Sequence, residues 1–245
     1  MEEQKKKSGL KPKLQRAKAK FLASYYSNPA KDLRIIAITG NSGRDVTAHF
    51  LKEIIKFQDD KVDVIIDPAT TSDLYKQLSR IWKTGANNVI ISITSQGLAN
   101  HLFYQLPIYE TINTDVEPLP PVASIMTPTT VESDARDILF NTQPNFNIIS
   151  RDHPEFDTLS NYPVKTATFS YGHDRSADLS INRFKLYKKG TEANLRYGNE
   201  NFDVATYETG EESVNYMAAA ALGALALGAN FDEITDGIAN FERKN

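Results

Sequence analysis

The residues with the clearest chemical potential are Thr39-Gly40-Asn41-Ser42-Gly43-Arg44-Asp45-Val46. An apolar run, Ile35-Ile36-Ala37-Ile38, enters two glycines spaced by two residues. A helical pattern follows, with Thr47, Phe50, Leu51, Ile54 and Ile55 on one face. A strand, a glycine turn and a helix N-terminus in that order form an anion cradle. Backbone N–H groups and the helix dipole both point at the ligand. A working phosphate loop adds a Lys for the outer phosphates and a Ser or Thr hydroxyl for magnesium. Here Arg44 and Asp45 stand at those places. Gly40, Asn41, Ser42, Gly43 and Arg44 are therefore the candidate phosphate binders, through backbone N–H groups and one guanidinium. Asp45 reads either as a metal ligand or as a carboxylate favoured by the helix dipole. The glycine pair also reads as a plain strand–helix turn.

Other reactive residue types are sparse. Cysteine is absent, which excludes disulfides, thiolate metal sites and thiol nucleophiles. His49 and His101 fit helix surfaces or packing better than ligation. His153, in Arg151-Asp152-His153-Pro154, suits the start of a short helix better than a catalytic dyad, because no nucleophile accompanies it.

The elements that position the loop alternate. Strands are expected at 33–39, 62–66, 88–93, 109–113 and 146–149. Helices are expected at 46–57, at 74–82 behind a cap in Thr71-Ser72-Asp73, and at 131–140. Pro118, Pro120, Pro121 and Pro128 mark an irregular crossing. Strands that are apolar on both faces and alternate with helices imply a parallel sheet covered on both sides. Beyond Asp152 the segments 165–170, 179–187, 193–197 and 202–207 alternate apolar and polar residues. They read as antiparallel hairpins with one wet face. An alanine-rich helix at 216–227 stops at Gly228, and another follows at 231–241. The fold class expected is α/β: a mainly parallel sheet sandwiched by helices, with a small antiparallel β subdomain at about 160–209. A basic N-terminal helical extension occupies 1–30 and the main domain 31–245.

The chain has 245 residues and a net charge of −3, with 40% hydrophobic and 24% charged residues. That is ordinary for a globular domain and gives no reason to expect a nucleic-acid partner. No apolar run approaches the roughly 20 residues of a membrane span, and the start lacks the apolar core of a secretory signal. A cytoplasmic location is the expectation. Charge is segregated: Lys5, Lys6, Lys7, Lys11, Lys13, Arg16, Lys18 and Lys20 precede Pro29, against Glu2 and Glu3. Leu14, Ala17, Phe21 and Tyr25 recur at helical spacing in the same stretch. Such a helix either packs on the domain with a solvated basic face or lies on an anionic membrane surface.

In their shared order these motifs resemble the central, ATP-binding domain of the Mur ligase family, over roughly residues 33–241. Those enzymes add amino acids to the peptidoglycan precursor, and the likeness is to the UDP-N-acetylmuramoyl-peptide (tripeptide) synthetase branch. The family's Thr-Gly-Thr-Asn/Lys-Gly-Lys-Thr/Ser-Thr loop corresponds to Thr39–Val46. Its Thr-Thr-Pro segment is similar to Thr70-Thr71-Ser72. Its Glu-Val-Ser-Ser-His/Gln-Gly-Leu strand end is similar to Ser92-Ile93-Thr94-Ser95-Gln96-Gly97-Leu98. The Thr-Asn pair resembles Ile112-Asn113, Lys-x-x-Leu-Phe resembles Arg136–Phe140, and Asn-x-Asp-Asp resembles Ser150–His153. Tyr171-Gly172 and Ala177-Asp178 are kept, and a late Asn before an alanine helix corresponds, one residue out of step, to Asn215.

The resemblance implies ATP or ADP as ligand at Gly40, Asn41, Ser42, Gly43, Arg44, Asp45 and Asn215. It also locates the departures. The phosphate Lys becomes Arg44, the magnesium hydroxyl Asp45, the strand-end Glu ligand Ser92 and the carbamylated Lys Arg136. The family's Asp-His finds no counterpart in Asp115-Val116-Glu117. Four changes in one site speak against Mg²⁺ and against catalysis. The family's sugar-binding N-terminal and amino-acid-bearing C-terminal domains have no counterpart in the sequence. The expectation is a pseudoenzyme of peptidoglycan-precursor synthesis that binds nucleotide weakly, or scaffolds or regulates a Mur-type enzyme. The alternatives are an active ATP-dependent carboxylate–amine ligase completed by partner domains, and a membrane-surface adaptor.

Overall fold

The structure is a computed structural model that describes residues 14, 16–58, 60–94, 97–98, 106–115 and 142–241. The expected helix at 131–140, Arg136, His101 and the proline crossing at 118–128 lie outside these residues. Helix α1 (residue 14 and residues 16–25) and a 3₁₀ turn (Pro29–Lys31) lead into β1 (Arg34–Thr39). There follow α2 (Arg44–Phe57), β2 (Val62–Ile66), α3 (Thr71–Lys83), β3 (Asn88–Ile93), β4 (Ile108–Asn113) and β5 (Phe146–Ser150). The chain continues through α4 (Phe156–Ser160), β6 (Ala167–Gly172), β7 (Leu179–Tyr187), β8 (Gly190–Tyr197), β9 (Glu200–Thr206), α5 (Glu212–Ala226) and α6 (Phe231–Ala239).

Among the described residues nine strands form one sheet in the order β2-β3-β1-β4-β5-β6-β7-β8-β9. Pairing is parallel from β2 to β7 and antiparallel in the β7-β8-β9 meander. The strand alternation of β1 explains the layering. Ile36 and Ile38 face α2, α5 and α6, whereas Ile35 and Ala37 face α3 and the N-terminal helix. Both faces are thus covered, as a parallel sheet requires. Along α5, Ala218, Ala219, Ala220, Ala221 and Ala224 are fully buried. Their small side chains let the helix axis approach the sheet closely.

Several local expectations shift. Residues 165–170, read with the hairpins, contribute to β6, which pairs parallel with β5; the antiparallel part is β7–β9 and continues the main sheet. The apolar–polar alternation of β6 is not matched by its burial, which rises along the strand from half-buried Ala167–Phe169 to buried Ser170–Gly172. Helix α2 begins at Arg44, two residues early. The cap of α3 is Thr70, whose hydroxyl accepts from Asp73 N–H at 3.1 Å. Helix α5 begins at Glu212, so Asn215 lies inside its first turn rather than before it.

Candidate functional site

The strand order reverses at β1: β2 and β3 lie to one side and β4 to the other. In open α/β sheets the crevice outside the carboxyl ends at such a reversal is where ligands bind. Gly40–Gly43 occupies that crevice. The end of β3 (Ser92) flanks it on one side and the end of β4 (Asn113, Thr114, Asp115) on the other. Gly43 has φ +70, which glycine adopts freely and which lets α2 start at Arg44. Thr47, Phe50, Leu51, Ile54 and Ile55 are buried, as their spacing predicted, and they anchor the helix whose N-terminus faces the loop.

Several of the groups that could meet a phosphate are already engaged with the protein, although Arg44 Nε is buried without a hydrogen-bond partner. Asn41 N–H donates to Asp115 Oδ1 at 2.6 Å. Asp115 is held by its own N–H, which donates to Asn113 Oδ1 at 2.8 Å. The Thr114 hydroxyl donates to the Ser42 carbonyl at 2.6 Å. Arg44 forms an ion pair with Asp67 at 2.5 Å, and Asp67 also accepts from Thr94 N–H at 3.0 Å. The Ser92 hydroxyl donates to the Asp45 carboxylate. The two residues that correspond to magnesium ligands in the Mur resemblance therefore satisfy each other.

Tyr216, on α5, closes the remaining side. Its ring packs on Gly43 so tightly that a Cβ there would overlap it. The Ser42 hydroxyl bonds to the phenol, and the phenol donates to Glu212 Oε2 at 2.9 Å. Burial and the Glu212 carboxylate raise the phenol's pKa, with the Ser42 bond opposing them. Asn215, one residue earlier, is buried and its Oδ1 has no hydrogen-bond partner. The side chain of α5 that packs on the loop at Gly43 is Tyr216. Sequence reading passed over Tyr216 and Asp67. Asp115 drew notice only for lacking a counterpart, though an acidic residue two positions after a buried strand-end Asn was the available signal.

The structure brings Gly40, Asn41, Ser42, Gly43, Arg44 and Asp45 together in one crevice. His49 sits half-buried on α2 with its ring 6.2 Å from that of Phe241, and burial lowers its pKa. His153 Nδ1 accepts from Glu155 N–H at 3.0 Å, a local turn bond ahead of α4. Among the described residues no group of three or more His, Asp or Glu is arranged to hold a metal ion.

This crevice on a mostly parallel, helix-covered sheet is the Mur ligase α/β fold. The solved structure of a UDP-N-acetylmuramoyl-L-alanyl-D-glutamate–2,6-diaminopimelate ligase matches it with a TM-score of 0.77 at 20% identity, over 87% of this chain and 47% of that one. The MurF ligase from Thermotoga maritima, solved in complex with ADP, matches with a TM-score of 0.67 at 15% identity, over 92% of this chain and 53% of that one.

In sequence, the chain is similar to the diaminopimelate ligases of Clostridium botulinum (23% identical; 86% of this chain, 46% of the relative) and Bacillus licheniformis (22%; 91% and 50%). A 100-residue stretch is 29% identical to that of Caldanaerobacter subterraneus, over 35% of this chain and 21% of the relative. No protein-family model matches. The chain is Mur-ligase-like in sequence and fold, and spans at most about half the length of these curated relatives.

Proposed function

We propose that this protein belongs to the machinery of peptidoglycan-precursor synthesis as a non-catalytic Mur-like module, with a nucleotide crevice closed by its own side chains. The carrying observation is the set of internal pairs just described. Asp115 takes the Asn41 N–H and puts a negative charge where a phosphate would lie. Arg44 is tied to Asp67, Asp45 to Ser92, and the Tyr216 ring covers Gly43. A Mg²⁺–ATP complex does not fit these residues as they stand. A nucleotide must displace a carboxylate and a tyrosine first, so its affinity is reduced by that competition. That the Thermotoga maritima relative was solved in complex with ADP supports a nucleotide as the class of ligand for this fold. A retained fold with reagents internally paired supports weak nucleotide binding and a scaffolding or regulatory role.

The test is titration of ATP and ADP, with and without Mg²⁺, followed by calorimetry and by melting. The expected Kd for the unaltered chain is weaker than about 1 mM. Asp115→Asn and Tyr216→Ala should each tighten it about tenfold, or roughly 1.4 kcal/mol. Neither change should restore phosphate release with muramyl-peptide and amino-acid substrates. Micromolar ATP binding by the unaltered chain overturns the closed-crevice reading. So does turnover that disappears in Arg44→Ala, which favours a ligase completed by partner domains.

A further inference from the structure

Helix α1 has two apolar faces, and the domain uses one. Ala19 and Leu22 are buried, with Ala23 and Tyr26 packed beside them, against the sheet face that carries Ile35 and Ala37. On the opposite face Leu14, Phe21 and Tyr25 are 73%, 68% and 69% exposed. Their spacing of seven and four residues places them in one stripe. The rings of Phe21 and Tyr25 stack at 6.2 Å, and Tyr26 meets Tyr25 edge-on at 5.0 Å. Lys18 falls along the same stripe, and Lys20 is also exposed. No acidic residue occurs from Gln4 to Lys31. The segment before Pro29 carries eight basic against two acidic residues, while the whole chain has a net charge of −3. Exposed aromatics set among lysines, on a helix fixed to an otherwise acidic domain, have the chemistry of an interfacial anchor.

The geometry points to the Leu14–Phe21–Tyr25 face of this helix as a docking surface for an anionic lipid bilayer. The rings enter the headgroup layer and the lysines meet the lipid phosphates. Charge complementarity selects this occupant. A second copy of the chain would bring the same excess of positive charge against itself. The contact is peripheral, because no helix among the described residues is long and apolar enough to cross a membrane. It leaves the nucleotide crevice untouched, so it stands or falls independently of the function proposed above.

The experiment is co-sedimentation of the full chain with vesicles of phosphatidylcholine alone and of phosphatidylcholine mixed equally with phosphatidylglycerol. Binding is expected to the anionic vesicles only, and to weaken steeply with added salt. Phe21→Ser with Tyr25→Ser should reduce binding at least about fivefold without moving the melting temperature, because both side chains are exposed. Lys18→Glu with Lys20→Glu should reduce it comparably and tests charge alone. Equal partition to neutral and anionic vesicles, no partition to either, or unchanged binding in both double variants overturns the proposal. A dimer in light scattering that Phe21→Ser dissolves also overturns it and assigns the stripe to a second copy.

Discussion

Glu110 lies on β4, the strand next to β1, and is 0% exposed. Neither carboxyl oxygen has a hydrogen-bond partner. Burial pushes its pKa well above the ordinary 4.5, opposed only in part by the charge of Arg34. The linked stability change has a definite sign. Below the ordinary value both folded and unfolded chains hold the proton, and pH has no leverage through this group. Above it the unfolded chain releases the proton while the folded chain keeps it. Stability therefore falls as pH rises, at up to about 1.4 kcal/mol per pH unit, until the raised pKa is passed.

Glu110→Gln keeps the shape against Gly223 and removes the proton linkage. At acidic pH the variant should match the unaltered protein, since a neutral acid and an amide are buried at comparable cost. At neutral pH it should be the more stable of the two, by an amount that grows along that slope. Urea unfolding at a series of pH values reads this directly, as midpoint multiplied by m-value. Parallel stability–pH curves for the two proteins would refute the reasoning. So would a variant that is less stable at neutral pH.

Two further outcomes are expected. Gly223 is the close-approach point of α5, where a Cβ would stand 2.7 Å from Glu110 Oε1 and 2.8 Å from Ile112 Cδ1. Gly223→Ala should therefore cost about 1–3 kcal/mol in urea unfolding, and a loss below about 0.5 kcal/mol would show that the helix yields without cost. Arg44→Lys, Asp45→Thr and Ser92→Glu together, combined with Asp67→Asn to release residue 44, should raise Mg²⁺–ATP affinity in a folded variant. Titration with no gain would reduce Gly40–Gly43 to a structural turn.

Much of the architecture was legible because burial on both faces leaves a simple trace. β1, β2 and β3 are near-continuous Ile and Val runs, and α2 and α3 carry their apolar residues at helical spacing. The boundaries were less legible where the deciding interaction is distant. Helix α2 starts at Arg44 because Gly43 takes a left-handed turn beneath a tyrosine 173 positions away, and no local pattern carries that. Helix α5 hides its start because four of the five residues of Glu211–Asn215 are polar, Val214 being the exception, yet Ser213, Val214 and Asn215 are buried. β6 alternates like a hairpin strand although it pairs parallel with β5.

The loop was found from its glycines, and its reagent changes were read at Arg44, Asp45 and Ser92. What closes the crevice was invisible, because Asp67, Asp115 and Tyr216 come from three separate parts of the chain. Only folding brings them to one place.

The junction between β6 and β7 is thin in hydrogen bonds but is bridged by α5, which packs on β6, β7 and β8. The two strands share only the pairs Tyr171–Leu179 and Gly172–Ser180, and the Asp178 carboxylate stands in for the missing rungs by accepting from Ser170 N–H and Oγ–H, each at 2.7 Å. Beyond that joint, Phe202 of the meander stacks on Phe231 of α6 at 4.6 Å, and Gly237 of α6 rests on the backbone of Ile54 in α2. A force that peels the meander away from β6 thus pulls on α6, and through it on the helix whose first turn holds Arg44. The outer strands are thus tied, through α6, to the helix that begins at the loop.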